Sequence, residues 1–219
     1  MSAHHRRSVR DRSRLWRALL AGLGGLWAAL TLPLVATAFG SAQWVWVFDY
    51  PVYVEARQWA RNPYVMFGAL VSLSFLSIGI ALVPDLRRAR WGGLAMSLLI
   101  IIGAPITAVS YLNSSERALL HFMWGWEFFV LVAVGLSGIA AAATAGRRWG
   151  GGVRVLLGMT LLILVAGTLL LGYWPHGSLV FLALEAIVII ATAPRDPAFA
   201  ADTAADAMHV HSSRSTPWT

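Results

Sequence analysis

The chain has 219 residues, of which 58% are hydrophobic and 12% are charged, and its formal net charge is +7. Apolar residues collect in long blocks, which is typical of a membrane protein with several spans. All 17 basic residues are arginines that lie between those blocks, so they indicate membrane topology rather than nucleic-acid binding. Cysteine is absent, which excludes disulfides, thiolate metal sites and cysteine nucleophiles.

Six apolar blocks approach or reach the roughly 20 residues that a helix needs to cross a membrane. They predict an all-α membrane helical bundle within 18–194, with about six transmembrane helices at 18–39, 64–84, 92–112, 120–145, 155–174 and 177–194. The sixth block is short and contains Glu185, but its Leu, Ile, Val and Phe content favours insertion. If the first block were instead a signal peptide cleaved near Ala36–Ala38, five spans would remain; its apolar stretch is long for that role.

Arginine is distributed unevenly over the predicted loops. With six spans, fourteen arginines fall on one side of the membrane, and Arg57, Arg61 and Arg117 fall on the other. Because short arginine-rich loops stay in the cytoplasm, both termini are predicted to be cytoplasmic and the chain to be a multi-pass plasma-membrane protein. The all-arginine, alanine-rich composition favours a GC-rich bacterium as the source.

The segments outside the spans are of two kinds. The external loop 40–63 is rich in aromatic residues and carries charges of both signs, so it is predicted to lie along the outer membrane surface. Within it, 52–62 is predicted to form a short interfacial helix, and a ligand-binding lid is the alternative for the loop. The tails 1–17 and 195–219 lack an apolar face and are predicted to be disordered.

An internal similarity relates two hairpins. Segments 76–93 and 136–151 share a Leu-Ser pair, a double arginine and a Trp-Gly-Gly sequence. The second and third spans are therefore either duplicated as the fourth and fifth, as in transporters with parallel repeats, or similar only because interfacial loops share these residue types.

Small residues recur on one face of several spans, where they allow helices to approach closely in lipid. They predict a tight bundle but no particular function. They lie in the first span at Ala21, Gly25, Ala29, Pro33 and Thr37, in the second at Gly68, Ser72 and Gly79, and in the fourth at Gly135, Gly138 and Ala142.

Glu127 in the fourth span and Glu185 in the sixth are the two acidic residues inside predicted spans, and such residues are functional candidates. Glu127 shares a helical face with Gly135 and Gly138, so it is predicted to point toward neighbouring helices. Glu185 shares its face with Ser178. Both glutamates come about eight residues into helices that run from outside to inside, so they are predicted to lie at similar depth and to share a site.

The chemistry expected of these carboxyls follows from their surroundings. Neither Lys nor Arg lies within the predicted hydrocarbon region, so burial favours the neutral carboxyl, which can exchange a proton or bind a cation. We therefore predict a proton- or cation-linked site of Glu127 and Glu185, with His121 and His176 as relays. The alternative is that protonated glutamates only tie helices together. No metal site or cofactor is predicted, and intrinsic haem binding is disfavoured because a second buried histidine is missing.

Three functions fit these features. The leading hypothesis is a small proton- or cation-linked transporter, or its membrane-embedded substrate-binding subunit. The alternative is a non-catalytic accessory subunit that packs with other membrane subunits. The third is a membrane enzyme acting on a lipid or quinone, with His121 and Glu127 as acid and base, but known catalytic motifs are missing. Apart from such subunits, the expected partner is the lipid bilayer, without nucleic acid.

Overall fold

The computed structural model describes residues 3–39, 55, 63–146, 149–171 and 174–193, and their side chains except at 3–10, 32–39 and 63. The loop 40–63, apart from its residues 55 and 63, therefore lies outside the described residues, as do the predicted interfacial helix and the tail 195–219. The second double arginine, Arg147-Arg148, also lies outside them.

The described residues form helices and turns, without strands, which confirms the all-α class. The helices are α1 (Ala3–Phe39), α2 (Pro63–Leu86), α3 (Arg90–Leu112), α4 (Trp126–Thr144), α5 (Gly151–Gly158), α6 (Thr160–Leu171) and α7 (His176–Thr192). Short 3-10 turns lie at Arg87–Ala89 and His121–Met123. Helix α1 differs from the prediction, since 3–17 of the expected irregular tail are helical. Arginine is a good helix former, and the segment contains neither Gly nor Pro.

Most neighbouring helices run in opposite directions. Gly68 of α2 faces Tyr111 of α3, whereas Gly79 faces Ile101, so the two helices form an antiparallel hairpin. The same pattern of contacts makes further pairs antiparallel: α3 with α4, α4 with α5 and α6, α6 with α7, and α1 with both α2 and α7. Since α2 and α7 are both antiparallel to α1, they run parallel to each other. The described residues thus form six alternating helical segments, one of which is the broken pair α5–α6.

The packing order closes the bundle into a ring. Helices α2, α3 and α4 pack in sequence, α6 packs between α4 and α7, and α7 returns to contact α2. Helix α1 lies against α2 and α7. The side chains buried between these helices form one main apolar core, with a smaller cluster around Phe67 and Tyr111.

Length and composition allow some of these helices to cross a membrane. Within the described residues, Tyr64–Leu112 and His121–Thr144 are continuous helical stretches that are long and apolar enough, the first being the α2–α3 hairpin. The pair α5–α6, bent by 59°, would add a third if it acts as one span, and α7 is a shorter apolar helix. The count of six spans and the cytoplasmic termini stay predictions.

Close packing relies on the small residues of the predicted stripes. A Cβ atom at Gly25 would lie 2.9 Å from the Ala183 Cβ, and one at Gly135 would lie 2.8 Å from the Leu161 Cα. Because real Cβ atoms do not approach so closely, these glycines set the helix spacing. The prediction that small residues face neighbouring helices is confirmed at these positions.

One end of the bundle is held by arginines. Arg17 of α1 forms a salt bridge with Asp85 near the end of α2, and Arg88 lies 3.7 Å from the same carboxylate. Arg14 donates a hydrogen bond to the carbonyl of Ala193, just past α7. Because arginines of α1 join it here to α2 and to the end of α7, we call this the arginine end; the opposite end, which contains His176, is the histidine end.

Candidate functional site

His176 is the first residue of α7, and its side chain is fully buried. Its Nδ1 atom is hydrogen-bonded to the Thr31 hydroxyl of α1, and its Nε2 atom lies 3.3 Å from the Tyr111 hydroxyl of α3. The ring also packs edge-to-face on Phe67 of α2, with the ring centroids 6.2 Å apart. Four helices therefore meet at this histidine.

The protons of this network can be assigned by counting donors. Thr31 has one hydroxyl proton, and its oxygen lies 2.7 Å from the Ala28 carbonyl, which can only accept. The Thr31 oxygen must therefore accept a hydrogen bond from the Nδ1–H of His176. This leaves Nε2 as the acceptor for the Tyr111 hydroxyl, so a neutral imidazole fits the network.

Further aromatic rings extend the layer around Tyr111. Trp124 packs edge-to-face on Tyr111 with the ring centroids 5.3 Å apart, and Tyr64 packs on Trp124 at 5.6 Å. These contacts tie the loop before α4 to the start of α2 and to the end of α3. The histidine end is thus a packed aromatic layer with polar atoms inside it.

Glu127 lies in the first turn of α4, where the chain turns back from α3. The turn depends on Gly125, whose φ of 87° is a left-handed conformation that favours glycine. The Gly125 backbone N–H donates to the Ser110 hydroxyl oxygen at 3.0 Å, and this bond anchors the start of α4 to the end of α3. The Glu127 side chain, 5% exposed, consequently points back against α3.

The two oxygens of the Glu127 carboxyl differ in their surroundings. The carboxyl accepts hydrogen bonds from the Ser110 hydroxyl and from its own backbone N–H, whereas Oε2 is buried without a hydrogen-bond partner. The hydroxyl oxygen of Thr107, one helical turn before Ser110, is also buried without a partner. Burial acts against the ionised form of this carboxyl, whereas the Ser110 hydroxyl and the backbone N–H favour it.

Glu185 is 3% exposed and lies in the middle of α7. Its Oε1 atom is 2.7 Å from the hydroxyl of Thr160, the first residue of α6, and its Oε2 atom has no hydrogen-bond partner. Thr160 follows the break between α5 and α6, and Gly138 of α4 packs directly against it. The carboxyl thus ties α7 to the broken segment.

Counting protons assigns Glu185 a different state. The Thr160 hydroxyl lies within donating distance of both Glu185 Oε1 and the Leu157 carbonyl, 2.8 Å away, but its single proton can serve only one of them. A protonated Glu185 satisfies both contacts, because it can donate to Thr160 while Thr160 donates to Leu157. The geometry therefore fits a neutral Glu185.

The two glutamates do not share a site. Glu185 contacts Thr160 at the level of Gly138, and the eleven residues from Glu127 to Gly138 correspond to roughly 16 Å along α4. The expectation of similar depth is wrong, because counting residues from predicted span ends neglects the different starting levels of α4 and α7. Ser178 is buried like Glu185, with which it was expected to share a face of α7, but it is bonded to Thr168 and to the Leu164 carbonyl.

The predicted relays fall in different places. His176 lies at the same end as Glu127, because Tyr111, its partner, is the residue after Ser110. His121 lies in the 3-10 turn before α4 and is partly exposed, with Nδ1 3.1 Å from the Asn113 carbonyl oxygen. Among the described residues no group of three or more His, Asp or Glu side chains could hold a metal ion.

Asp85 is a third buried carboxyl, which the sequence analysis missed. It follows the predicted end of the second span and is followed by Arg87 and Arg88, so it resembles an ordinary loop residue. The signal that could have identified it is the pairing of this lone acid with an arginine-rich first helix. In the structure it is fully buried and bonded to Arg17.

Comparisons with known proteins give no family for this chain. No protein-family description matches the sequence, and no curated protein or solved structure is significantly similar to it.

Proposed function

We propose that this chain is a small transport-type membrane protein, or the membrane-embedded substrate-binding subunit of one, with a proton- or cation-linked site centred on Glu127. The observation that carries the proposal is the buried carboxyl of Glu127 with one oxygen bonded to donors and the other without a partner. A buried carboxyl in a membrane bundle is costly, so it is more often retained for function than for packing.

The surroundings of Glu127 support exchange between two states. Burial favours the neutral form, whereas the Ser110 hydroxyl, the backbone N–H and the start of α4 favour the ionised form. A carboxyl on which these effects oppose each other can gain and lose a proton or a cation at modest cost. Its place at one end of the bundle also puts it within reach of the membrane surface.

Glu185 contributes differently to this proposal. Its donated hydrogen bond to Thr160 holds α7 against the break between α5 and α6. We therefore propose that Glu185 stabilises the bundle and that Glu127 alone is the proton- or cation-binding residue. His176 and Tyr111 are polar groups at the same end of the bundle as Glu127.

The test is ion flux through the purified protein in liposomes. Vesicles loaded with a pH-sensitive dye would receive an inward Na⁺ or K⁺ gradient, and the internal pH would be followed for wild type, Glu127→Gln and Glu185→Gln. We expect the wild type to couple ion entry to proton exit, with the rate reduced at least about tenfold in Glu127→Gln and changed less than about twofold in Glu185→Gln.

Two results would count against transport. Wild-type protein that is monodisperse but moves neither protons nor cations would remove the proposal. Protein that is stable only with copurified membrane subunits would favour the accessory-subunit alternative.

A further inference from the structure

The interface between α3 and α4 contains two buried oxygens that no protein group satisfies. Oε2 of Glu127 and the hydroxyl oxygen of Thr107 have no hydrogen-bond partner, and their residues are 5% and 0% exposed. Leaving such atoms unpaired typically costs about 1–3 kcal/mol each, so a pair of them is expected to have a ligand.

The register of the two helices brings these oxygens to the same level. Ser110 is bonded to Gly125, and α3 and α4 are antiparallel, so three residues back along α3 correspond to three residues forward along α4. Thr107 is thus level with Phe128, the residue after Glu127. Around α3, Thr107 lies about 60° from Ser110 and about 40° from Tyr111, on the arc that faces the inside of the bundle.

Protonation of Glu127 alone does not provide a partner for both Glu127 Oε2 and the Thr107 hydroxyl oxygen. A protonated Glu127 would need an acceptor for Oε2, and Thr107 would be the natural one, yet no bond joins them in the structure. A metal cation between the two would coordinate both oxygens at once. Carboxylate and hydroxyl oxygens are the hard ligands that alkali and alkaline-earth cations prefer.

Charge selects a monovalent ion. Glu127 supplies one negative charge, the hydroxyls of Ser110 and Thr107 carry none, and a neutral imidazole fits the hydrogen bonds of His176 at the same end of the bundle. A monovalent cation would leave the buried site neutral, whereas a divalent one would leave an uncompensated charge in a low-dielectric interior.

We infer that Glu127, Ser110 and Thr107 form an oxygen-lined site for a monovalent metal cation of the Na⁺ class between α3 and α4. The inference rests on the proposed function, because it names the ion that the linked site takes. Glu127 supplies the charge and Thr107 a neutral ligand, while Ser110 holds the carboxyl through its hydroxyl proton and accepts from Gly125.

Thermal unfolding of the purified full-length protein in detergent tests the inference, with NaCl titrated against choline chloride at constant ionic strength. A cation that binds only the folded protein stabilises it by RT ln(1 + c/Kd), where c is the cation concentration, so the unfolding temperature rises with c. We expect Na⁺ to raise it for the wild type, and Glu127→Gln and Thr107→Val to need at least about tenfold more Na⁺ for the same rise.

Ser97→Ala is the matched control. Ser97 is also a buried hydroxyl of α3, but it is bonded to the Leu94 carbonyl of its own helix and should leave the Na⁺ response unchanged. A wild type that responds equally to Na⁺ and choline would overturn the inference, even if a variant fails to fold. An equal Na⁺ response in wild type, Glu127→Gln and Thr107→Val would overturn it as well.

The flux and binding measurements separate the two proposals. Proton flux that depends on Glu127 without any Na⁺ stabilisation would retain a proton-linked transporter and reject the cation site. Na⁺ stabilisation that depends on Glu127 and Thr107 without flux would retain the cation site and reject transport.

Discussion

Glu127 and Glu185 are both buried, and each has one carboxyl oxygen without a partner, but the hydroxyl beside each is used in opposite ways. The Ser110 oxygen accepts from a backbone N–H, so its proton remains for Glu127. The Thr160 hydroxyl has one proton between the Leu157 carbonyl and Glu185, so a protonated Glu185 satisfies both contacts. The first arrangement leaves a donor for a carboxylate, and the second fits a neutral acid.

The difference shows that burial alone does not assign a role to an acidic residue in a membrane bundle. The backbone groups that are hydrogen-bonded to the neighbouring hydroxyl decide whether the ionised or the neutral carboxyl finds a hydrogen-bond partner there. At Glu127 those groups belong to a turn between two helices; at Glu185 they belong to a break inside a helical segment.

The largest effect is expected from Gly138→Ala. A Cβ atom there would overlap the Leu157 carbonyl oxygen and approach the Thr160 hydroxyl to 2.6 Å, and the backbone carbonyl cannot move aside. The substitution should destabilise the bundle by about 2–3 kcal/mol, as overpacking of cores does. Denaturant unfolding in micelles would measure it, with Gly158→Ala as control because its new Cβ has only an ordinary contact at 3.7 Å.

Thr160→Val should cause the next largest loss of stability. The isosteric change removes the acceptor of the Glu185 proton, so a buried acid would be left without its partner at a cost of about 1–3 kcal/mol. The matched change Thr192→Val removes an exposed hydroxyl on α7 and should cost less than about 0.5 kcal/mol. Equal effects of the two substitutions on the unfolding free energy would show that the Thr160–Glu185 bond contributes nothing.

Much of the fold could be predicted from the sequence, because long apolar blocks and small-residue stripes are local signals. The inward orientation of Glu127 followed from its helical face alone and is confirmed by its burial, which it shares with Gly135 and Gly138 of the same face of α4. The break at Met159 was not predicted, since the sequence around it carries no proline, and Gly158 and Thr160 are residues that ordinary membrane helices contain.

The site could be predicted less well, because it depends on contacts between distant segments. His176 was expected in an external turn, yet it is fully buried because Thr31 and Tyr111 supply partners from two other helices. The proposed repeat also has different surroundings in its two copies: Trp91 is 67% exposed and Trp149 is 2% exposed. The sequence around one residue does not reveal such partners, because the packing of distant helices determines them.

On the Glu127 side, Gly125→Ala should have a moderate effect. A side chain at a φ of 87° costs about 1–2 kcal/mol, although nothing lies within 4 Å of the new Cβ. Gly150→Ala is the control, since it has a φ of −53° and equally open surroundings. The unfolding temperature should fall only for Gly125→Ala, and a similar fall for both would mean that the left-handed turn is not what positions α4.

The smallest effect on stability is expected from Glu185→Gln, and it bears most directly on the contrast between the two glutamates. The glutamine amide can donate to Thr160 as a protonated carboxyl does, so the unfolding free energy should change by less than about 1 kcal/mol.

Infrared spectroscopy would then identify the charge state of each glutamate, because only a neutral carboxyl has the C=O stretch of an acid. That band should disappear in Glu185→Gln and persist in Glu127→Gln measured with Na⁺ present. If instead the acid band is lost in Glu127→Gln and retained in Glu185→Gln, the proton assignment of the two sites is reversed, and the neutral carboxyl is the one beside Ser110.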